Sequence, residues 1–491
     1  MLFLFMLTYC IPEFLAALVD RPVFLRHRTS EICLIMRSHF SNRLGFIMAA
    51  AGSAIGLGNI WKFPFEVGES GGAAFIAVYL FFCFVLCFPI LVSEIAIGRR
   101  AQRNAFGAFK VLGFPKWAVL GLLQIVVSLF ILSFYNVVAG WSLGYFIEMV
   151  IGNFAIGEQF PQYVQNIPRI SVYSLLFMVA TGFIVAQGVS AGIEKYTKLL
   201  MPVLIVIILG LAGYALTLPG AEEGLSFYLV PDLSKINLDV IYNALGHAFF
   251  SLSLGLGGLM TYGSYLSRKD NILTSAVAVT IMDVMIAFMA GFMLFPFVFS
   301  QGLDAEGGPG LVFMALPAVF ASLGSVWGTI IGSLFFLLLS FAALTSTVSI
   351  LEVSVAYLRD EHQLSRLKAV LLSATVIFLL GMPSLLANGS SEFFTSFITY
   401  GGASVDFMTF ISDLSSNTFL PLAGLLISLF VAYVWRHDQL IQELSSDGRH
   451  PVPTWVAIYL KIALRYVCPL ILGLIFLFTV LEKFFGIKVV G

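Results

Sequence analysis

Eleven stretches of about 20 mostly apolar residues follow one another along this chain. They lie near 43–69, 73–98, 117–150, 171–188, 192–217, 238–266, 272–300, 323–358, 368–388, 406–435 and 454–486. Each is long enough to cross the hydrocarbon core of a bilayer. No water is available there to pair with backbone N–H and C=O groups, so each segment must be helical. The predicted fold class is all-α, a polytopic membrane protein of eleven transmembrane helices. Only 11% of the residues are charged and 59% are hydrophobic, whereas a soluble domain carries roughly a quarter charged residues. The lipid bilayer is therefore the surrounding this chain is built for. The net charge of −1 gives no electrostatic case for a nucleic-acid partner.

Basic residues set the orientation. Arg37, Arg43, Arg99, Arg100, Arg103, Lys110, Lys195, Lys198, Arg268, Lys269, Arg359, Arg366, Lys368, Arg436 and Arg449 fall on one set of connections, and mainly Arg169 and Lys235 on the other. The basic side is cytoplasmic by the positive-inside rule. The N-terminus is then cytoplasmic and the C-terminus, after an odd number of spans, external. Trp117, Tyr145 and Trp435 near span ends suit the interfacial belt. The five cysteines, Cys10, Cys33, Cys83, Cys87 and Cys468, are scattered and read as lipid- or core-facing thiols. Residues 1–36 form an N-terminal extension without a signal-peptide layout. Met36 followed by RSHFSNRLGF reads as the true start; recovery of a peptide from before Met36 by mass spectrometry of the purified protein would exclude this.

Two spans are unusual. Span 1 reads AAAGSAIGLGNIWKFPF, with Gly52, Gly56, Gly58 and Pro64; span 6 reads HAFFSLSLGLGGLMTYGSY, with Gly255, Gly257 and Gly258. Glycine is costly inside a helix and tolerates open backbone. Close helix packing through small residues is the plainer explanation of membrane glycines. Position favours another: span 1 opens one group of five helices and span 6 the next, and interrupted segments at matching places in two halves point to a transporter site. Span order thus predicts an inverted 5+5 repeat with broken helices 1 and 6. The divisions are 37–217 and 218–435 for the two five-helix repeats, and 436–491 for a loop and helix 11.

The segment SNRLGFIMAAAGSAIGLGNIWKFPF resembles the neurotransmitter:sodium symporter family. So do GGAAFIAVYLFFCFVLCFPILVSEIAIGRR, FFSLSLGLGGLMTYGSYL, LVFMALPAVF and FAALTSTVSILEVSVAYLRDE. The resemblance covers roughly residues 37–435 and is nearest the bacterial, eleven-span branch with a LeuT-like fold. It implies a transporter of the cell inner membrane, not an enzyme, that couples sodium ions to an amino acid substrate. The protein is expected to act as a monomer or weak homo-oligomer. Sodium wants several oxygen ligands, which in hydrocarbon must come from unwound carbonyls, hydroxyls and carboxamides. By the resemblance, the first sodium site uses Ala54, Asn59, Ser251 and Asp283. The second uses carbonyls of Gly52, Ile55 and Ala342 with hydroxyls of Thr345 and Ser346. Asp283 stands where chloride-dependent relatives have Asn, and Ala287 where they have Ser. An ionised carboxylate inside a span is expensive unless it meets a cation. Asp283 is therefore expected to supply the charge that chloride would otherwise bring, making transport chloride-independent. A structural Asp satisfied by a nearby donor is the plainer alternative.

The same resemblance lines the substrate site with Ala54, Gly58, Ile131, Tyr135, Phe250, Ser253, Leu256, Ser346 and Ile350. Tyr135 would donate to a substrate carboxylate, helped by the positive half-helix ends, and Phe250 would close over the substrate. Monoamine carriers have an Asp where this chain has Gly56, so the substrate should bring its own carboxylate. Leu256, where some relatives have Phe, leaves room for a sizeable apolar side chain and favours hydrophobic or aromatic amino acids. For gating, the match gives Arg37 and Asp360 on the cytoplasmic side, supported by Tyr265 and Phe40. Lys62 takes the outer position, with Asp406 or Asp413 as partner because Thr409 stands where relatives have Asp. Glu94 is expected to brace the span-1 hinge. His247 reads as a satisfied polar packing residue. An ion channel would need a continuous polar pore, and a membrane enzyme a nucleophile–base set or a motif that this chain lacks. A non-transporting amino acid sensor on the same scaffold stays open at this point.

Overall fold

The computed structural model describes residues 38–302, 311–400, 403–446 and 451–481. Arg37, the extension over 1–36, Arg449 and the last residues of span 11 lie outside them. Among the described residues, nine continuous helices are long and apolar enough to cross a membrane. They are Ala73–Ala101, Pro115–Val150, Ile167–Ala186, Val189–Ala215, Ile272–Phe299, Ser325–His362, Arg366–Leu386, Phe407–Leu444 and Thr454–Thr479. They form spans 2–5 and 7–11. Span 1 is a bent pair, Arg43–Ala54 and Gly58–Glu69, turned 46° at its break. Span 6 is a second interrupted pair, Leu238–Ser251 and Gly258–Gly263. With both interrupted pairs counted as spans, the described residues give eleven helical spans, in line with the apolar windows, and the breaks fall in the two spans rich in glycine.

Local chemistry explains the ends. Asn42, Asn237 and Asn271 each accept a backbone N–H of the first turn, at Gly45, Val240 and Thr274, over 2.9–3.0 Å, the favoured use of Asn before a helix. Span 1 breaks where Ile55 turns extended, at φ −75° and ψ 101°. Pro64 then sits in the first turn of Phe63–Glu69, where its missing N–H costs nothing. In span 6 three residues adopt left-handed backbone: Ser253 at φ 53°, Gly255 at 78° and Gly257 at 77°. Glycine takes that conformation freely; serine does so at a cost.

Spans 8 and 10 run past the ends that hydropathy gives them. Span 8 continues to His362, adding a polar turn that carries Asp360. Span 10 runs on through a π-turn at Phe430–Arg436 and, past Arg436 at φ 75°, into His437–Leu444; that last piece is amphipathic and buries Leu440 and Leu444 without being apolar overall. Short helices such as Ala105–Val111 and Ala221–Leu229, and a hairpin pairing Ile398–Tyr400 with Ala403–Val405, fill the connections.

Span 2 and the second half of span 6 touch backbone to backbone. A Cβ on Gly98 would lie 1.9 Å from the Met260 carbonyl oxygen, and one on Gly263 would lie 2.6 Å from that of Ile95. Close approach through small residues is how helices associate in lipid. Gly98→Ala should therefore lower the melting temperature of the detergent-solubilised protein, with a loss of ~2 kcal/mol or more from overpacking against rigid backbone. Gly210→Ala, with nothing within 4 Å of the added methyl, should leave it unchanged or raise it.

Candidate substrate and ion site

The two breaks face each other at the centre of the bundle. Ser53, just before the span-1 break, is the joint between them: its carbonyl accepts from Ser253 Oγ at 2.8 Å and Ser346 Oγ at 3.2 Å. Its hydroxyl lies 2.7 Å from Ser349 Oγ. The left-handed backbone at Ser253 is thus held by a direct tie to span 1. Glu94 on span 2 accepts from Gly255 N at 2.9 Å and from Gln124 Nε2 at 3.0 Å. This corrects the expectation that Glu94 braces span 1: it braces the span-6 break, where the glycines leave amides without helical partners.

Between the breaks lies a small, tightly closed pocket lined by Ser53, Ala54, Gly56, Gly58, Ile131, Tyr135, Phe250, Ser253, Leu256, Ser346 and Ile350. All nine residues anticipated for the substrate border it, together with Ser53 and Gly56. The phenol oxygen of Tyr135 accepts from Leu57 N at 2.8 Å, so its own proton is left to donate. Gly56 admits no side chain: a Cβ would lie 2.3 Å from Ser346 Oγ and 2.5 Å from Tyr135 Oη. The rest of the wall is apolar, from Ile131, Phe250, Leu256 and Ile350.

Beside this space two oxygen clusters form. In the first, Asp283 is fully buried and accepts from Asn59 Nδ2 at 2.7 Å, Ser251 Oγ at 2.9 Å and Tyr79 Oη at 3.3 Å. Every one of these donors is neutral, and among the described residues Asp283 makes no ion pair. Gly56 N donates to Asn59 Oδ1 at 3.1 Å, tying the cluster to the span-1 break. In the second, Thr345 Oγ1 lies 3.3 Å from Ile55 O and 3.0 Å from Ala342 O. Ser346 Oγ lies 3.4 Å from both Gly52 O and Ile55 O. A hydroxyl has one proton, so these two hydroxyls cannot satisfy the carbonyls crowded around them. The surplus of lone pairs is the donor set that a hard cation prefers. Both clusters take their oxygens from the breaks and from spans 7 and 8.

The gating residues are placed differently. Asp360 accepts from the N and Nδ2 of Asn104 at 2.8 and 3.2 Å; its anticipated partner Arg37 is outside the described residues. Tyr265 Oη donates to Glu352 at 2.7 Å, and Arg366 grips the same carboxylate with both terminal nitrogens at 3.2 and 2.6 Å. The Tyr265 carbonyl accepts from Phe40 N at 3.2 Å. Glu352 is not among the residues the sequence singles out, and Arg366 is there only as a basic residue of a connection, although an acid within a span is itself a signal. Lys62 lies 3.9 Å from Glu66 and 4.9 Å from the centre of the Phe250 ring. Its ion pair is thus one turn along its own helix. Asp406 caps span 10 through Thr409 N and Oγ1, and Asp413 accepts from Asn417. His247 is not a satisfied polar residue. Its ring packs among Phe63, Phe75 and Tyr79, and neither nitrogen has a hydrogen-bond partner among the described residues.

A helical membrane protein with two facing breaks and oxygen clusters at its centre is a secondary transporter of the broken-helix type. The comparisons agree. The profile described as the sodium:neurotransmitter symporter family matches residues 37–166 and 154–485. The chain is 37% identical to YhdH, an uncharacterised sodium-dependent transporter of Bacillus subtilis, over 89% of this chain and 96% of that protein. It is 36% identical to a similar transporter of Haemophilus influenzae, over 90% and 98%. The solved structure of MhsT in complex with L-phenylalanine superposes with a TM-score of 0.83, at 41% identity, covering 90% of this chain and 99% of that one. The chain belongs to the sodium:neurotransmitter symporter family.

Tyr135→Phe keeps the ring but removes the acceptor for Leu57 N, leaving a buried amide unpaired at ~1–3 kcal/mol. We expect it to weaken substrate binding about tenfold or more, measured by equilibrium binding, while Ile125→Val, on the same helix and outside the pocket lining, leaves it within about twofold.

Proposed function

We propose that this sodium-dependent transporter is a symporter that carries a hydrophobic or aromatic α-amino acid into the cell by alternating access, without chloride. The observation that carries this reading is Asp283, a fully buried carboxylate surrounded by neutral donors alone. A charge so placed is costly unless a cation joins it. Asn59, Ser251 and the Ala54 carbonyl would complete the first sodium site once the Asn59 amide turns its oxygen inward. The cluster of Gly52, Ile55, Ala342, Thr345 and Ser346 would hold a second sodium. With its negative charge built in, the first site needs no anion beside it.

The substrate class follows from the cavity wall. Gly56 leaves no place for a carboxylate from the protein, so the ligand carboxylate would meet Tyr135 Oη and the amides at the breaks. The apolar wall of Ile131, Phe250, Leu256 and Ile350 suits an apolar side chain, and MhsT was solved with L-phenylalanine. In this scheme sodium binding organises the outward-open site and the amino acid lets Phe250 and Lys62 close over it. Departure of the second-site sodium then frees the first half of span 1 to swing. The positive-inside rule, applied to the basic connections, supports a cytoplasmic position for that half. The sodium gradient and the membrane potential, at about 2.3 kcal/mol per charge per 100 mV, supply the driving force.

A thermal-shift screen of the twenty amino acids with and without sodium should show stabilisation by large apolar ones that depends on sodium. Uptake of the best ligand into proteoliposomes should persist when gluconate replaces chloride. Strong chloride dependence would reject the role given to Asp283, and binding without uptake would favour a sensor.

A further inference from the structure

We infer that Glu194 is a latch that holds the first half of span 1 against span 5 and so sets how readily the carrier opens inward. The inference rests on the transport reading above. Glu194 closes the π-turn Val189–Glu194 that begins span 5 and is 2% exposed. Its carboxylate accepts from Ser41 N at 2.8 Å and also from Ser41 Oγ. Ser41 immediately precedes Asn42, the residue that caps span 1. The acid therefore sits at the positive end of the half-helix Arg43–Ala54 and satisfies a backbone donor there, where negative charge is favoured.

The surrounding surface is shaped for this contact. A Cβ on Gly45 would fall 2.2 Å from Glu194 Oε1, so the acid lies flat across that glycine. Two turns further along, a Cβ on Gly52 would meet Met201 Sδ at 3.4 Å and Thr197 Cγ2 at 3.5 Å on span 5, and Thr345 Cβ on span 8 at 3.2 Å. One face of the half-helix thus docks on one face of span 5, and Glu194 is its polar fastening. Lys198, one turn on from Glu194 in the same helix, pairs with it and is 31% exposed. If Ser41 moves away, Lys198 stays with the carboxylate, so no charge is stranded and the latch can open reversibly. Gly52 and Ile55, whose carbonyls belong to the second oxygen cluster, lie on or beside this half-helix. The latch and a sodium there hold the same rigid body, so loosening one must weaken the other by linkage.

The test uses the full chain with Glu194→Gln, which keeps the size and an acceptor but loses the charge. Melting temperature is followed against sodium concentration, and hydrogen exchange of the peptide spanning 43–54 is followed with and without sodium. We expect the sodium concentration for half-maximal stabilisation to rise about fivefold. Exchange without sodium should be faster, and saturating sodium should restore it to the wild-type rate. Ser41→Ala, which loses only the hydroxyl, should shift both readings the same way by a smaller factor. An unchanged sodium dependence in both variants overturns the latch, as does a melting temperature lowered equally at every sodium concentration. A wild-type protein that gains no stability from sodium overturns the symport reading and the latch with it.

Discussion

An interrupted helix in hydrocarbon leaves backbone groups that must find partners within the protein. Everything at the centre of this molecule answers to that constraint. Spans 1 and 6 break side by side, and each break is satisfied largely by the other and by the helices that flank them. Tyr135 takes the Leu57 amide, Glu94 takes the Gly255 amide, and Ser253 and Ser346 attend to the Ser53 carbonyl. Amides can be matched one to one in this way. Carbonyls cannot, because each has two lone pairs and the nearby hydroxyls have one proton apiece. The excess of acceptors over donors, on which the proposed sodium sites rest, arises from the breaks themselves.

Buried charge follows the same logic with a different outcome in each place. Arg99 on span 2 is fully buried and is matched by Glu443 at 2.6 Å, with further bonds to Asp270 O and Ser446 Oγ. Glu352 is fully buried and is matched by Arg366 and Tyr265. Such pairs rarely add net stability against apolar residues of the same shape, but removing one partner strands the other at ~3–5 kcal/mol. They fix which helices must stay together: span 2 with the end of span 10, and span 8 with the starts of span 9 and the loop after span 6. Asp283 is different in kind, since its neighbours lower the cost of its charge without cancelling it.

The sequence reading was clear about the spans and less clear about everything held by long-range contact. Apolar windows of about 20 residues are a property of the local chain, and the glycines of AGSAIGLG and LSLGLGG mark breaks by the same local rule. The ends misjudged, at His362 and Leu444, are those where a helix outlives its hydrophobicity. Arg99 and Glu443 are separated by 344 positions and nothing in either neighbourhood announces the other. Glu94 was legible as a buried acid, but which break it serves depends on where span 2 passes. The site residues came from resemblance. Composition alone gave reason to notice Asp283 and the paired breaks, but not to assemble Thr345 and Ser346 with carbonyls some 290 positions away. Ser53 could have been noticed as the lone hydroxyl within the run AGSAIGLG.

The two halves of span 1 are held by different kinds of contact, which gives the break its mechanical meaning. The second half carries Lys62, whose charge lies between Glu66 and the face of Phe250, and Trp61, which packs edge-on against Phe65 and Phe313. Toward its far end these contacts are aromatic and at most weakly ionic, while next to the break Asn59 ties it to Asp283 at 2.7 Å and to Ser251 at 3.1 Å. The first half is fixed by glycines fitted to span 5 and by carbonyls that face hydroxyls of span 8. Glycine packing is tight only in register, and the hydroxyl–carbonyl contacts at 3.3–3.4 Å are long. Beyond these, the piece is held by a few discrete hydrogen bonds, at Ser53 near the break and at Ser41 near its start. In the proposed cycle the bend at Ile55 would let this half move without unwinding either part, because the backbone there has already left the helix.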